Sequence, residues 1–70
     1  MRDKLDKLRI EIYGNGIFQG YVKSVSESKQ YLKSTMDKKD AKTYSSMIIA
    51  SKEIDRIHNI TRGTLRLNVV

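Results

Sequence analysis

The sequence predicts an α+β domain in which one long helix packs on a face of a small sheet. Three patterns predict it. Leu8 to Tyr13 and Ile17 to Val22 flank Gly14-Asn15-Gly16, the mark of a β-hairpin. Apolar residues then recur at helical spacing between Ser46 and Ile60. A last alternating run, Thr64 to Val70, reads as a closing strand. The order is β-β-(β)-α-β, the bracketed strand being a candidate over Gln30–Met36.

The hairpin admits two registers. A two-residue type I′ turn at Asn15-Gly16 sets Ile12 against Gln19 and Ile10 against Tyr21. A three-residue loop, with Gly16 left-handed in a bulge, sets Ile12 against Phe18, Ile10 against Gly20 and Leu8 against Val22. A one-residue slip turns every side chain to the other face. Burial therefore favours the three-residue loop, with Phe18, Gly20 and Val22 inward. The wet face then carries Lys7, Arg9, Glu11 and Tyr13 on the first strand. The second strand adds Ile17, Gln19, Tyr21 and Lys23.

Ser26-Glu27-Ser28-Lys29 is a polar break. The candidate third strand puts Leu32, Ser34 and Met36 inward and Tyr31, Lys33 and Thr35 outward, so its core face is poor. Asp37 can cap one helical turn through Lys42, and Ser45 or Ser46 can cap the main helix. In that helix Met47, Ala50, Ile54 and Ile57 form one apolar stripe, which Ile48 and Ile49 widen. Lys52, Glu53, Asp55 and Arg56 fall on the wet side. Gly63 suits the position after the helix C-terminus, and Arg62 complements the helix dipole. In the final strand Leu65, Leu67 and Val69 point inward, with Thr64, Arg66 and Asn68 outward. A third strand makes the helix a right-handed crossover to a parallel fourth strand, in spatial order 3-2-1-4.

The chain has 70 residues, which bounds it to one domain, 1–70, with residues 1–6 read as a flexible lead. A chain of this size buries only about 60% of its unfolded surface, so the core is thin. It has no cysteine and no proline. The first residues carry mixed charge without an apolar core, unlike a signal peptide. No run approaches the roughly 18 apolar residues of a membrane span. The expectation is a cytoplasmic protein that does not bind membranes.

The residues assemble no catalytic set. His58 is the single histidine, and one histidine without cysteine makes no zinc site. Asp37 and Asp40 lie among lysines, as in a solvated turn. No serine sits in a nucleophile-elbow context. Gly14-Asn15-Gly16 joins two strands and opens no helix, so it is no phosphate loop. The expectation is a protein without enzymatic activity, metal or cofactor.

Charge is the feature that points outward. Lys and Arg number 14 against 8 Asp and Glu, a net +6. Such a field attracts nucleic acid or acidic proteins. The outer sheet face is predicted to gather Tyr13, Tyr21 and Tyr31 with Lys7, Arg9, Lys23, Lys33 and Arg66. Rings stack on unpaired bases while cations meet phosphates. Tyr and Arg are also enriched in protein interfaces. Ordinary solvation of a strand face accounts for the same residue types. Lys38, Lys39 and Lys42, with Lys29 and Lys33 upstream, read as a solvated basic run.

Two stretches carry a resemblance: Asn15-Gly16-Ile17-Phe18-Gln19-Gly20-Tyr21-Val22-Lys23-Ser24 and Asp40-Ala41-Lys42-Thr43-Tyr44-Ser45-Ser46. They are similar to small proteins carried by phages of Gram-positive bacteria, which open with an N-G-x-F-x-G-Y-[VL]-K hairpin and continue with A-K-x-Y, a helix and a closing strand. The resemblance covers most of residues 7–70, and its motifs are structural. It implies a bacterial host cytoplasm and a role in binding host or phage machinery, defence nucleases such as CRISPR effectors included. The favoured partner is a host protein or nucleoprotein that the chain inhibits. The alternative is a small basic module binding DNA or RNA.

Overall fold

Asn15 and Gly16 both adopt left-handed backbone, with φ of 54° and 80°. Asparagine and glycine tolerate this conformation, and a two-residue type I′ turn requires it. The computed structural model, which describes residues 8–70, therefore closes its hairpin between Gly14 and Ile17. The strands are β1 (Ile10–Gly14), β2 (Ile17–Ser26), β3 (Tyr31–Thr35) and β4 (Arg66–Val69). One helix, α1 (Met47–Thr61), lies between β3 and β4. The architecture is α+β, in the order β-β-β-α-β. The expected flexible lead over residues 1–6 and the place of Lys7 lie outside the described residues.

The hairpin corrects the predicted register. Tyr13 pairs with Phe18, and the register then shifts so that Ile12 pairs with Gly20 and Glu11 with Tyr21. Gln19 is the extra residue, and its side-chain amide lies over Gly14. The bulge resolves the conflict between turn and burial. The tight turn stays, yet Gly20 and Val22 still reach the buried face. Phe18 does not. It falls beside Tyr13, on the face expected to be wet. Gly20 sits opposite Ile12 rather than Ile10. Its φ of 119° and a Thr35 carbonyl oxygen 2.8 Å from where a Cβ would sit leave room for glycine alone.

The sheet is antiparallel throughout, in the order β3-β2-β1-β4. The predicted spatial order holds, but the fourth strand is not parallel to the third. Its direction follows from the segment after β3. Thr35 pairs with Tyr21, toward the hairpin end. A capped 3-10 turn follows, Lys38–Asp40, with Asp37 accepting from the Lys39 amide. The chain then runs back to the opposite end, where Lys42 N donates to Val22 O and Tyr44 pairs with Leu8. The helix thus starts beside the beginning of β1 and returns to the hairpin end. β4 sets out from there, against β1, with Arg66 opposite Tyr13.

Ser46 caps α1, its hydroxyl accepting from Ile49 N at 3.2 Å. Left-handed Arg62 and Gly63 end it, and Gly63 N donates to His58 O. The buried stripe differs from the predicted one. Ala50, Glu53 and Ile57 are buried, whereas Met47 is 56% exposed. Met36, expected inward, is 68% exposed, because β3 ends at Thr35. The core joins Ile10, Ile12, Val22, Tyr44, Ala50 and Ile57, flanked by Leu32, Ile54, Leu65, Leu67 and Val69. No helix among the described residues is long and apolar enough to cross a membrane.

Candidate binding face

The sheet face away from the helix carries the candidate side chains. The bulge at Gln19 brings Phe18 between two tyrosines: ring centroids lie 5.5 Å apart for Tyr13–Phe18 and 5.3 Å for Phe18–Tyr21. Both contacts are edge-to-face, the arrangement that aromatic quadrupoles favour. The three rings are half-buried, so each keeps surface open to solvent.

Glu11 sits on this face, opposite Tyr21 on one side and Asn68 on the other. Its Oε1 accepts from the Tyr13 hydroxyl at 3.2 Å and from Asn68 Nδ2 at 3.3 Å. Desolvation, and then the bond and charge of Glu11, push the Tyr13 phenol above its ordinary value, so it serves as a neutral donor. The carboxylate thus pins one end of the aromatic row.

The predicted cations are spread unevenly. Arg66 lies opposite Tyr13 and joins the row. Arg9 donates from Nε to the Lys38 carbonyl at 3.0 Å, which ties the start of β1 to the 3-10 turn. Lys23 occupies a second bulge of β2, between Val22 and Ser24. Tyr31 and Lys33 lie on β3 opposite Ser26 and Ser24, toward the far end of the sheet. Tyr13, Tyr21 and Arg66 therefore form one group with Phe18, Glu11 and Asn68, while Tyr31 and Lys33 form another. Phe18 was missed because the two-residue turn sets its register, and a bulge beyond it reconciles that turn with burial. Glu11 was placed on the right face, but its second partner, Asn68, lies on β4.

Glu53 was expected on the wet side of the helix and is instead 3% exposed. Lys42 Nζ donates to it at 2.8 Å, the Tyr44 hydroxyl at 3.0 Å and Arg56 at 3.2 Å. Burial alone raises a carboxylate pKa, yet these donors outweigh it and hold Glu53 below its ordinary value. Burial and the neighbouring Glu53 charge push the Tyr44 phenol up. The cluster is a joint between α1 and the strap of residues 41–44 that leads to it, with every buried side-chain polar atom satisfied among the described residues. No grouping of metal-ligating side chains occurs among the described residues.

No protein-family model matches this chain, and no curated protein or solved structure gives a significant match.

Proposed function

We propose that the protein is a non-catalytic binding protein that docks on a host protein or nucleoprotein through its outer sheet face and blocks it. One observation carries the choice of a protein surface: the Glu11 carboxylate lies within the aromatic row, bonded to Tyr13 and Asn68. A fixed negative charge there opposes a phosphate backbone laid along Tyr13, Phe18 and Tyr21, whereas rings with paired polar groups suit a protein interface. The net charge of +6 favours an acidic target and speeds encounter with it. The resemblance to small phage proteins of Gram-positive bacteria supports a host-directed role in the bacterial cytoplasm, with defence nucleases among the targets. Tagged protein is used to capture partners from host lysate with and without nuclease. A stoichiometric protein partner that survives nuclease and is lost in Phe18→Ala supports the proposal. Capture that disappears with nuclease, alongside nucleic-acid binding that falls steeply with salt, establishes a nucleic-acid module instead.

A further inference from the structure

Where the hairpin turn, the end of α1 and the start of β4 meet, they enclose an open groove of about 470 Å³. Tyr13, Gly16, His58, Gly63, Arg66 and Leu67 are among its lining residues. A volume of this order is that of small-molecule sites, which run from about 300 to 1,000 Å³. We infer that this groove binds a phosphate monoester of about mononucleotide size.

The chemistry of the walls selects the ligand. Among the described residues no carboxylate lines the groove, while Arg66 and His58 do. Among the described residues, neither the Arg66 guanidinium nor the His58 ring has a hydrogen-bond or ion-pair partner. The planar fork of an arginine matches two phosphoryl oxygens. Gly16 and Gly63 have positive φ, and among the described residues nothing lies within 4 Å of where a Cβ would stand at either. Neither glycine puts a side chain in the way of a ligand. Tyr13 and Leu67 supply an aromatic and an aliphatic wall, and the Tyr13 ring is already held by Phe18 and Glu11. Such a wall suits the planar or ring-shaped part of a monoester.

The C-terminal end of a helix ordinarily repels anions. Here two of its last four carbonyls, those of His58 and Thr61, meet donors from beyond the helix. Thr61 Oγ1 donates to Ile57 O, Gly63 N to His58 O, and Thr64 N and Oγ1 to Thr61 O. These donors offset part of that repulsion, and the Arg66 guanidinium supplies the positive charge at the groove.

The test uses the isolated chain, so it does not depend on any docking partner. Backbone amide resonances are followed while AMP, adenosine or inorganic phosphate is added. AMP is expected to shift Gly16, Gly63, Thr64 and Arg66, and to bind at least about tenfold more tightly than the other two probes. Arg66→Gln is expected to weaken AMP about tenfold or more, roughly the loss of one bidentate charged contact. Lys38→Gln/Lys39→Gln, distant from the groove, is expected to leave it unchanged. Adenosine equal to AMP, inorganic phosphate equal to AMP, shifts centred on the lysines, or no response to Arg66→Gln would each overturn the assignment.

Discussion

The Tyr44 hydroxyl donates to Oε2 of Glu53 at 3.0 Å, joining the segment after β3 to the buried side of α1. Lys42 reaches the same oxygen at 2.8 Å. The helix is thus fastened to the strap that sets the direction of β4. Removing one partner leaves buried polar groups unsatisfied, which costs more than the net worth of the bonds. Glu53→Ala is expected to destabilise the fold by about 2–4 kcal/mol, discounted for the partial exposure of Lys42 and Arg56. Glu53→Gln keeps an acceptor for Tyr44 and should cost about half of that. Urea denaturation measures both, and equal stability of Glu53→Ala and the parent chain would refute the role.

The same joint shapes the dependence of stability on pH. The folded pKa of Glu53 lies below its ordinary value, so its contribution is present above about pH 4.5. As pH falls, the unfolded chain takes up the proton first, and the contribution is lost down through the folded pKa. Tyr44 acts in the opposite sense. Its folded pKa lies above the ordinary 10.0, so stability is lost as pH rises beyond that value. Thermal unfolding across pH should show both flanks. Glu53→Gln is expected to flatten the acid flank and Tyr44→Phe the alkaline one.

Two glycines in the hairpin should respond differently to alanine. Gly16 lies in open space, so Gly16→Ala meets only the left-handed penalty of about 1–2 kcal/mol. Gly20→Ala adds a clash with the Thr35 carbonyl to a backbone conformation open to glycine alone, and should cost at least about 3 kcal/mol. Equilibrium unfolding of the pair ranks them, and a milder effect at Gly20 would contradict the β2–β3 approach.

The bulged register makes its own prediction. Ring protons of Phe18 should show nuclear Overhauser contacts to Tyr13 and Tyr21, and none to Ala50 or Ile57. Phe18→Ala removes a half-buried ring from the outer face and is expected to cost about 1–2 kcal/mol. Ile12→Ala opens the core and should cost about 2–5 kcal/mol. Comparable losses at both positions would favour the inward placement of Phe18.

The exposed first turn of α1 tests how the helix is held. Ser46→Ala removes a cap and is expected to cost about 1 kcal/mol. Ile48→Ser, at a position 70% exposed, should change stability by less than about 0.5 kcal/mol. Chemical denaturation of both variants checks the ranking, and a larger loss at Ile48 would place that side chain in the core.

The chain's local patterns sufficed for the hairpin, the helix, the closing strand and the caps at Asp37 and Gly63, while the third strand stayed a candidate and the main helix had two possible caps, Ser45 and Ser46. They also sufficed for the inward set Ile10, Ile12, Val22, Leu65, Leu67 and Val69. All of these rest on period, turn chemistry or backbone preference, which neighbouring residues carry among themselves. Spatial order was legible as well, since a closing strand finds its open edge beside β1.

Three features depended on contacts between distant segments. Phe18 faces outward because the two-residue turn pairs it with Tyr13, and the bulge at Gln19 then returns Gly20 and Val22 to the core. Glu53 is buried because Lys42 and Tyr44, brought by the strap, satisfy a carboxylate that helical periodicity assigns to water. β4 runs against β1 because that strap crosses the sheet before the helix begins. The sequence alone therefore determined the hairpin strands, the helix and the closing strand, and the structure added β3. Tertiary structure decided which face carries the aromatic row, because register and partner choice are settled by the summed burial of segments far apart in the chain.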